Sequence, residues 1–210
     1  MKLTICITAI MLVGLSALPV CADRVILAPT GTTLASGEIR AEAAIDTTDS
    51  NTRIYWVGIG LQRLEIGATR FENGNEIAGP GDTNVLTAEI SILPDTTLTP
   101  GVGVGAWDIS SETPDGAGYY LALTKVLPFS KDLPSPIRDI RLHAGVGSGA
   151  IAGFFAGAEA SLPFGLRVAA DYFREDFNFS LGWKALPGLQ IKAYLLNGES
   201  HYGLQFSPPL

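Results

Sequence analysis

Beyond residue 22 the chain has no cysteine; its two cysteines are Cys6 and Cys21. That excludes disulfides, thiol chemistry and cysteine-held metal from the rest of the protein. Charge is scarce as well. Charged residues make up 17% of the 210, and acids outnumber bases by 21 to 14. This balance lacks the basic face that a nucleic-acid partner needs, so none is expected. Histidine is reduced to His143 and His201. Neither has a third ligand, or a Ser or Asp partner, at a spacing that predicts a metal site or a triad. Long apolar runs are missing too. Outside the first residues the longest uncharged stretch is Ala144 to Ala158, with five glycines. A spanning helix needs roughly 20 apolar residues.

The first 22 residues read as a secretory leader. Lys2 gives a positive start, Leu3 to Val20 is apolar, and Val20-Cys21-Ala22 precedes Asp23 as a cleavage pattern. A lipidated Cys21 is the other reading, with Val20 standing where a small residue is normally required. Removing the leader leaves 13 bases against 21 acids, a formal net charge of −8. Residues 23–210 are long enough to form one domain.

What the chain does have is alternation. In Leu166 to Phe173, Leu166, Val168, Ala170 and Tyr172 share one face, and Arg167, Ala169, Asp171 and Phe173 the other. Phe177, Phe179, Leu181 and Trp183 oppose Asn178, Ser180, Gly182 and Lys184. Leu189, Ile191, Ala193 and Leu195 oppose Gln190, Lys192, Tyr194 and Leu196. Strand side chains alternate with period two, so each run has one apolar face. Eight earlier runs and a short last one, Tyr202 to Phe206, bring the expected count to twelve. The earlier runs are Gly37 to Ile45, Arg53 to Leu61, Gln62 to Phe71, Thr83 to Leu93, Thr99 to Ile109, Ala117 to Leu127, Ile137 to Gly147 and Ile151 to Leu162. Arg24 to Ser36 reads as an irregular lead. Tyr55 and Trp56 are placed at a membrane interface.

The connections fall into two classes in alternation. Leu93-Pro94, Leu127-Pro128, Leu162-Pro163 and Leu186-Pro187 end even-numbered strands. The others are polar: Asp46 to Thr52, Glu72 to Asp82, Ser110 to Gly116, Glu175-Asp176 and Asn197 to Ser200. Pro128 to Pro136 is the long exception. Two classes of turn imply two ends of one up-and-down sheet. With a positive mean hydropathy of +0.27, a leader and no spanning helix, the fold class expected is all-β. Its architecture is an antiparallel up-and-down transmembrane β-barrel of about twelve strands.

Chemistry is harder to find. Gly147-Ser148-Gly149-Ala150-Ile151-Ala152 reads G-x-G-x-x-A, but no βαβ alternation surrounds it. Glu159, Arg167, Asp171, Asn178, Lys184 and Lys192 are expected to face the lumen. They would act as a polar filling there, with Glu159 and Asp171 the pair a carboxylate-based site would use. Tyr119, Tyr120, Tyr172, Phe173, Trp183 and Tyr194 are expected at the interface or in packing. No cofactor, metal or catalytic residue is predicted.

Several short pieces resemble the YjbH-like family of bacterial outer-membrane proteins. They are Ala28-Pro29-Thr30 with Ser36-Gly37-Glu38-Ile39-Arg40, Leu64-Glu65-Ile66-Gly67, Leu93-Pro94-Asp95, and Pro100 to Gly105 with Asp108-Ile109. Tyr120 to Lys125 and His143 to Gly147 complete the set. The resemblance implies a β-barrel and a role near exported polysaccharide, and supplies no catalytic residue. The function expected is therefore a non-enzymatic outer-membrane barrel supporting exopolysaccharide export or envelope structure. Its partners would be membrane lipid, the barrel-assembly machinery and polysaccharide. A passive pore for small solutes, a lumen or rim enzyme acting on lipid or glycan, and a soluble β-sandwich are the alternatives.

Overall fold

The computed structural model describes residues 24–74, 78–128 and 137–208. The leader 1–22 and nearly all of the Pro128–Pro136 connector lie outside the described residues. Twelve strands run in chain order: β1 (Ile39–Asp46), β2 (Arg53–Leu61), β3 (Leu64–Glu72), β4 (Thr83–Leu93), β5 (Gly101–Trp107) and β6 (Gly118–Pro128), then β7 (Asp139–Gly147), β8 (Gly153–Ser161), β9 (Leu166–Phe173), β10 (Asp176–Leu186), β11 (Leu189–Leu196) and β12 (Glu199–Phe206). Each pairs antiparallel with its chain neighbours, and β1 pairs with β12, closing the barrel. Closure leaves no unpaired sheet edge.

The period-two pattern decides which way each side chain points. Outward positions are mostly apolar, with polar exceptions such as Arg70, Glu72 and Asn84 near the loops. On β10, Phe177, Phe179, Leu181 and Trp183 are all exposed. So are Ile191 and Leu195 on β11, Tyr202, Leu204 and Phe206 on β12, and Ile66, Leu86, Ile90, Leu121, Leu123 and Leu142 elsewhere. The residues facing the other way are the buried polar ones, among them Arg40, Glu65, Glu89, His143, Glu159, Asp171 and Asn178. A water-soluble domain has the opposite arrangement. No described helix is long and apolar enough to cross a membrane.

Parity also corrects one expectation and sorts the aromatic residues. Trp56 is not at the outer interface; with Ile54 it points inward and is 5% exposed. Tyr120, Phe173 and Tyr194 likewise face in, whereas Tyr119, Trp183 and Tyr202 face out. The stretch after the G-x-G-x-x-A motif is a strand, as expected, beginning at Gly153. Gly149–Ile151 form one 3-10 turn before β8, tucking Ala150 and Ile151 inward.

One end of the barrel, the terminal end, holds the start of β1 and the finish of β12. The other is the loop end. Two loop-end hairpins are tight. Arg174 and Glu175 both have positive φ, 53° and 71°, as do Asn197 and Gly198, 48° and 83°. A type I′ turn needs both central residues there, and it matches the strand twist. Glu175 adopts this conformation against its steric preference. Glu175→Gly is expected to stabilise the barrel by about 1 kcal/mol, read as a higher urea midpoint with an unchanged slope.

Candidate functional site

The barrel's interior is occupied by the chain's own lead. Residues 24–36 precede β1 and have no regular period, so their backbone polar groups need partners other than a ladder. The inward acids and hydroxyls supply them. Asp171 on β9 accepts three backbone N–H groups at one oxygen, Oδ2: Ile26 at 3.0 Å, Leu27 at 2.8 Å and Ala28 at 2.9 Å. Gly31 donates its N–H to Thr124 Oγ1 of β6 at 2.8 Å. Leu34 donates to Glu65 Oε2 of β3 at 2.7 Å, and Ala35 to Glu38 Oε2 at 3.2 Å. Val25, Ile26, Ala28, Thr30, Thr32 and Leu34 are buried as a result.

Glycine allows the segment to lie this close to the wall. A Cβ on Gly31 would come within 2.7 Å of the Ala122 carbonyl oxygen. One on Gly60 of β2 would run into the Ala35 carbonyl oxygen. Both are backbone-to-backbone approaches that no rotamer change relieves. Beside the segment a cavity of about 50 Å³ remains, lined by Arg24, Trp56, Glu65, Glu89 and Tyr120 among others. That is room for a few water molecules.

The six expected lumen residues occupy distinct places. Asp171 holds the segment, and its other oxygen accepts Asn178 Nδ2 at 2.8 Å. Asn178, fully buried, in turn accepts the N–H of Asn197 at the loop-end turn. Glu159 on β8 lies 3.2 Å from His143 Nε2 and 3.5 Å from Arg167 Nη1. Lys192 on β11 reaches Glu42 Oε2 of β1 at 2.9 Å. Glu42 is also held by the Tyr194 hydroxyl and by Arg24 at 3.9 Å. Lys184 stands apart: it is exposed, near the terminal end of β10, opposite Gln190.

Glu159 and Asp171 therefore do not act as one pair. Each is engaged by different donors. The row that does form is Thr124, His143 and Glu159. Thr124 Oγ1 lies 2.9 Å from His143 Nδ1. Glu159 beside Nε2 can only accept when ionised, so Nε2 is the nitrogen that faces it with a hydrogen, and Nδ1 is left to the threonine hydroxyl. The order hydroxyl, imidazole, carboxylate is that of a nucleophile relay. Here the hydroxyl already accepts from Gly31, and the His143 side chain is 0% exposed. The row ties the lead to the wall.

Arg24 lies against the ring of the inward Trp56. Its guanidinium carbon sits 4.9 Å from the centroid of Trp56, with Arg40 at 5.9 Å. An inward tryptophan with cations on its ring is a cation–π stack, a stronger contact when shielded from water.

No family model matches the chain, and no curated protein matches it. Among solved structures, a double mutant of Rh. blastica porin aligns with it at 8% identity and a TM-score of 0.34. The alignment covers 75% of this chain and 55% of that one. The chain thus aligns with little more than half of that porin's length. The closed twelve-strand fold stands on its own strand pairing.

Proposed function

We propose that this chain is a non-enzymatic outer-membrane β-barrel whose lumen is shut by its own N-terminal segment. One observation carries the reading: residues 24–36 lie inside the barrel, held by Asp171, Thr124 and Glu65. The apolar outer face, with the barrel's closed backbone ladder, fits lipid on the outside. A leader over residues 1–22 would export the chain, and the barrel-assembly machinery would insert it. The terminal end would then face the periplasm and the loop end the exterior. A shut lumen favours a role in envelope structure or in support of polysaccharide export over a passive pore. The enzyme alternative loses its nearest candidate because Glu159 and Asp171 are engaged separately.

Two measurements test this. Purified protein added to planar lipid bilayers is expected to give no steady conductance steps at low voltage. Stable ohmic steps from the intact chain would overturn the shut-lumen reading. A deletion strain is expected to release less exopolysaccharide; an unchanged amount would remove that role and leave the structural one.

A further inference from the structure

Closing the ring brings Asp46, near the start of the chain, beside two ligating side chains near its end, Glu199 and His201. Asp46 ends β1, and Glu199 and His201 lie on one face of β12. Asp46 and His201 are direct cross-strand partners. One ligand atom from each of the three lies within 4.8 Å of the others. The cluster sits at the loop end, on the seam where the last strand meets the first.

The histidine shows what the cluster is built for. His201 is 3% exposed. Its Nδ1 lies 3.3 Å from the backbone carbonyl of Glu199. A carbonyl only accepts, so Nδ1 carries a hydrogen and Nε2 is the ring nitrogen turned to the cluster. Nε2 lies 3.7 Å from Asp46 Oδ2. A nitrogen and a carboxylate oxygen at that separation can share one positive centre between them, a proton or a metal ion. Donation of the far ring N–H to a carbonyl is also how proteins orient metal-binding imidazoles.

Asp46 is prepared in the same way. Its Oδ1 accepts Thr48 N–H and Thr48 Oγ1 at 2.6 Å each, and Asp49 N–H at 2.7 Å. These bonds leave Oδ2 directed at the imidazole. Glu199 is exposed and gives an ion a route in from solvent. Among the described residues, no lysine or arginine is ion-paired with Asp46 or Glu199. The register partner of His201 on β11, Tyr194, gives its hydroxyl to Glu42.

We propose that Asp46, Glu199 and His201 form a divalent-cation site of the zinc class that pins the β1–β12 seam. Nitrogen and carboxylate ligands at about 2.0–2.2 Å from a tetrahedral zinc lie about 3.4 Å from each other. The 3.7 Å between Asp46 and His201 is near that edge. One imidazole with two carboxylates suits zinc and cobalt better than calcium or magnesium, which prefer all-oxygen shells. The fourth position is left for water.

The test uses the full chain in detergent, stripped with chelator and then titrated with Zn²⁺ or Co²⁺ near neutral pH. One ion per chain is expected to bind and to raise the unfolding temperature by several degrees. Co²⁺ is expected to give a visible tetrahedral absorption band. His201→Gln should abolish the band. Glu199→Gln, an exposed change that leaves folding intact, should weaken Zn²⁺ binding roughly tenfold or more. Absence of one-site binding, or binding that both variants leave unchanged, would overturn the site. Binding with no change in unfolding temperature would overturn the pinning of the seam. A seam stabilised to the same degree by acid alone, in metal-free protein, would assign the positive centre to a proton instead.

Discussion

Asp171→Ala is expected to release residues 24–36 from the lumen and to cost about 3–5 kcal/mol of stability. One carboxylate oxygen accepts the backbone N–H of Ile26, Leu27 and Ala28, and the other accepts from Asn178. Bonds to a charged acceptor are worth about 1.5–3 kcal/mol each, and donors stranded in a dry interior add their desolvation cost. Alanine strands three backbone donors and one amide together. The barrel's ladder does not pass through this side chain, so the wall should survive while the lead detaches. Two readouts follow. Trypsin should cut after Arg24 in the variant and not in the native protein. Conductance steps should appear in bilayers. Asp171→Asn keeps an acceptor oxygen in the same place, so its loss should be smaller. If Arg24 is equally protected in the native protein and the alanine variant, Asp171 does not hold the segment.

The second large effect concerns the outside. Leu181 lies in the middle of β10, half exposed, opposite Val168 of β9 and Ala193 of β11. All three point away from the lumen. If that face meets lipid, Leu181→Arg should destabilise the barrel by about 2–4 kcal/mol, the cost of a cation near the bilayer midplane. The measurement is a urea titration of protein folded in lipid vesicles. A water-facing position would show almost no change on the same substitution. A shift below 0.5 kcal/mol would therefore place this face in water and return the fold to a soluble one. Leu181→Ala is the companion variant; it removes area without adding charge and should cost far less.

The strands were legible because burial is one-sided and the chain alternates without interruption. On β10 and β11 the apolar and polar positions separate cleanly, and the strand ends fall within a few residues of the turns that proline and glycine mark. The lead was not legible, for a physical reason. Residues 24–36 bury by threading through the barrel, so they carry neither a two-residue nor a 3.6-residue period. Two signals did point to it. The stretch from Val25 to Ser36 contains no charged residue. The inward positions also hold more acids than bases, and spare acceptors in a closed space need donors. Trp56 was misplaced because its neighbour Tyr55 is aromatic too. Its face-mates Gly58 and Gly60 mark the crowded side, where the lead passes. The cluster of Asp46, Glu199 and His201 could not be read at all without knowing that the two end strands meet.

The contacts of Asp171 have a consequence in time. They join residues separated by 143 to 145 positions, so the first part of the domain to be made is among the last to find its place. Loops of that length close slowly, and they close only after the intervening strands exist to carry Asp171. The β1–β12 seam spans a longer separation still. The lead and the closing pair of strands therefore belong to the same late stage of assembly, and both wait on a wall that is already largely built.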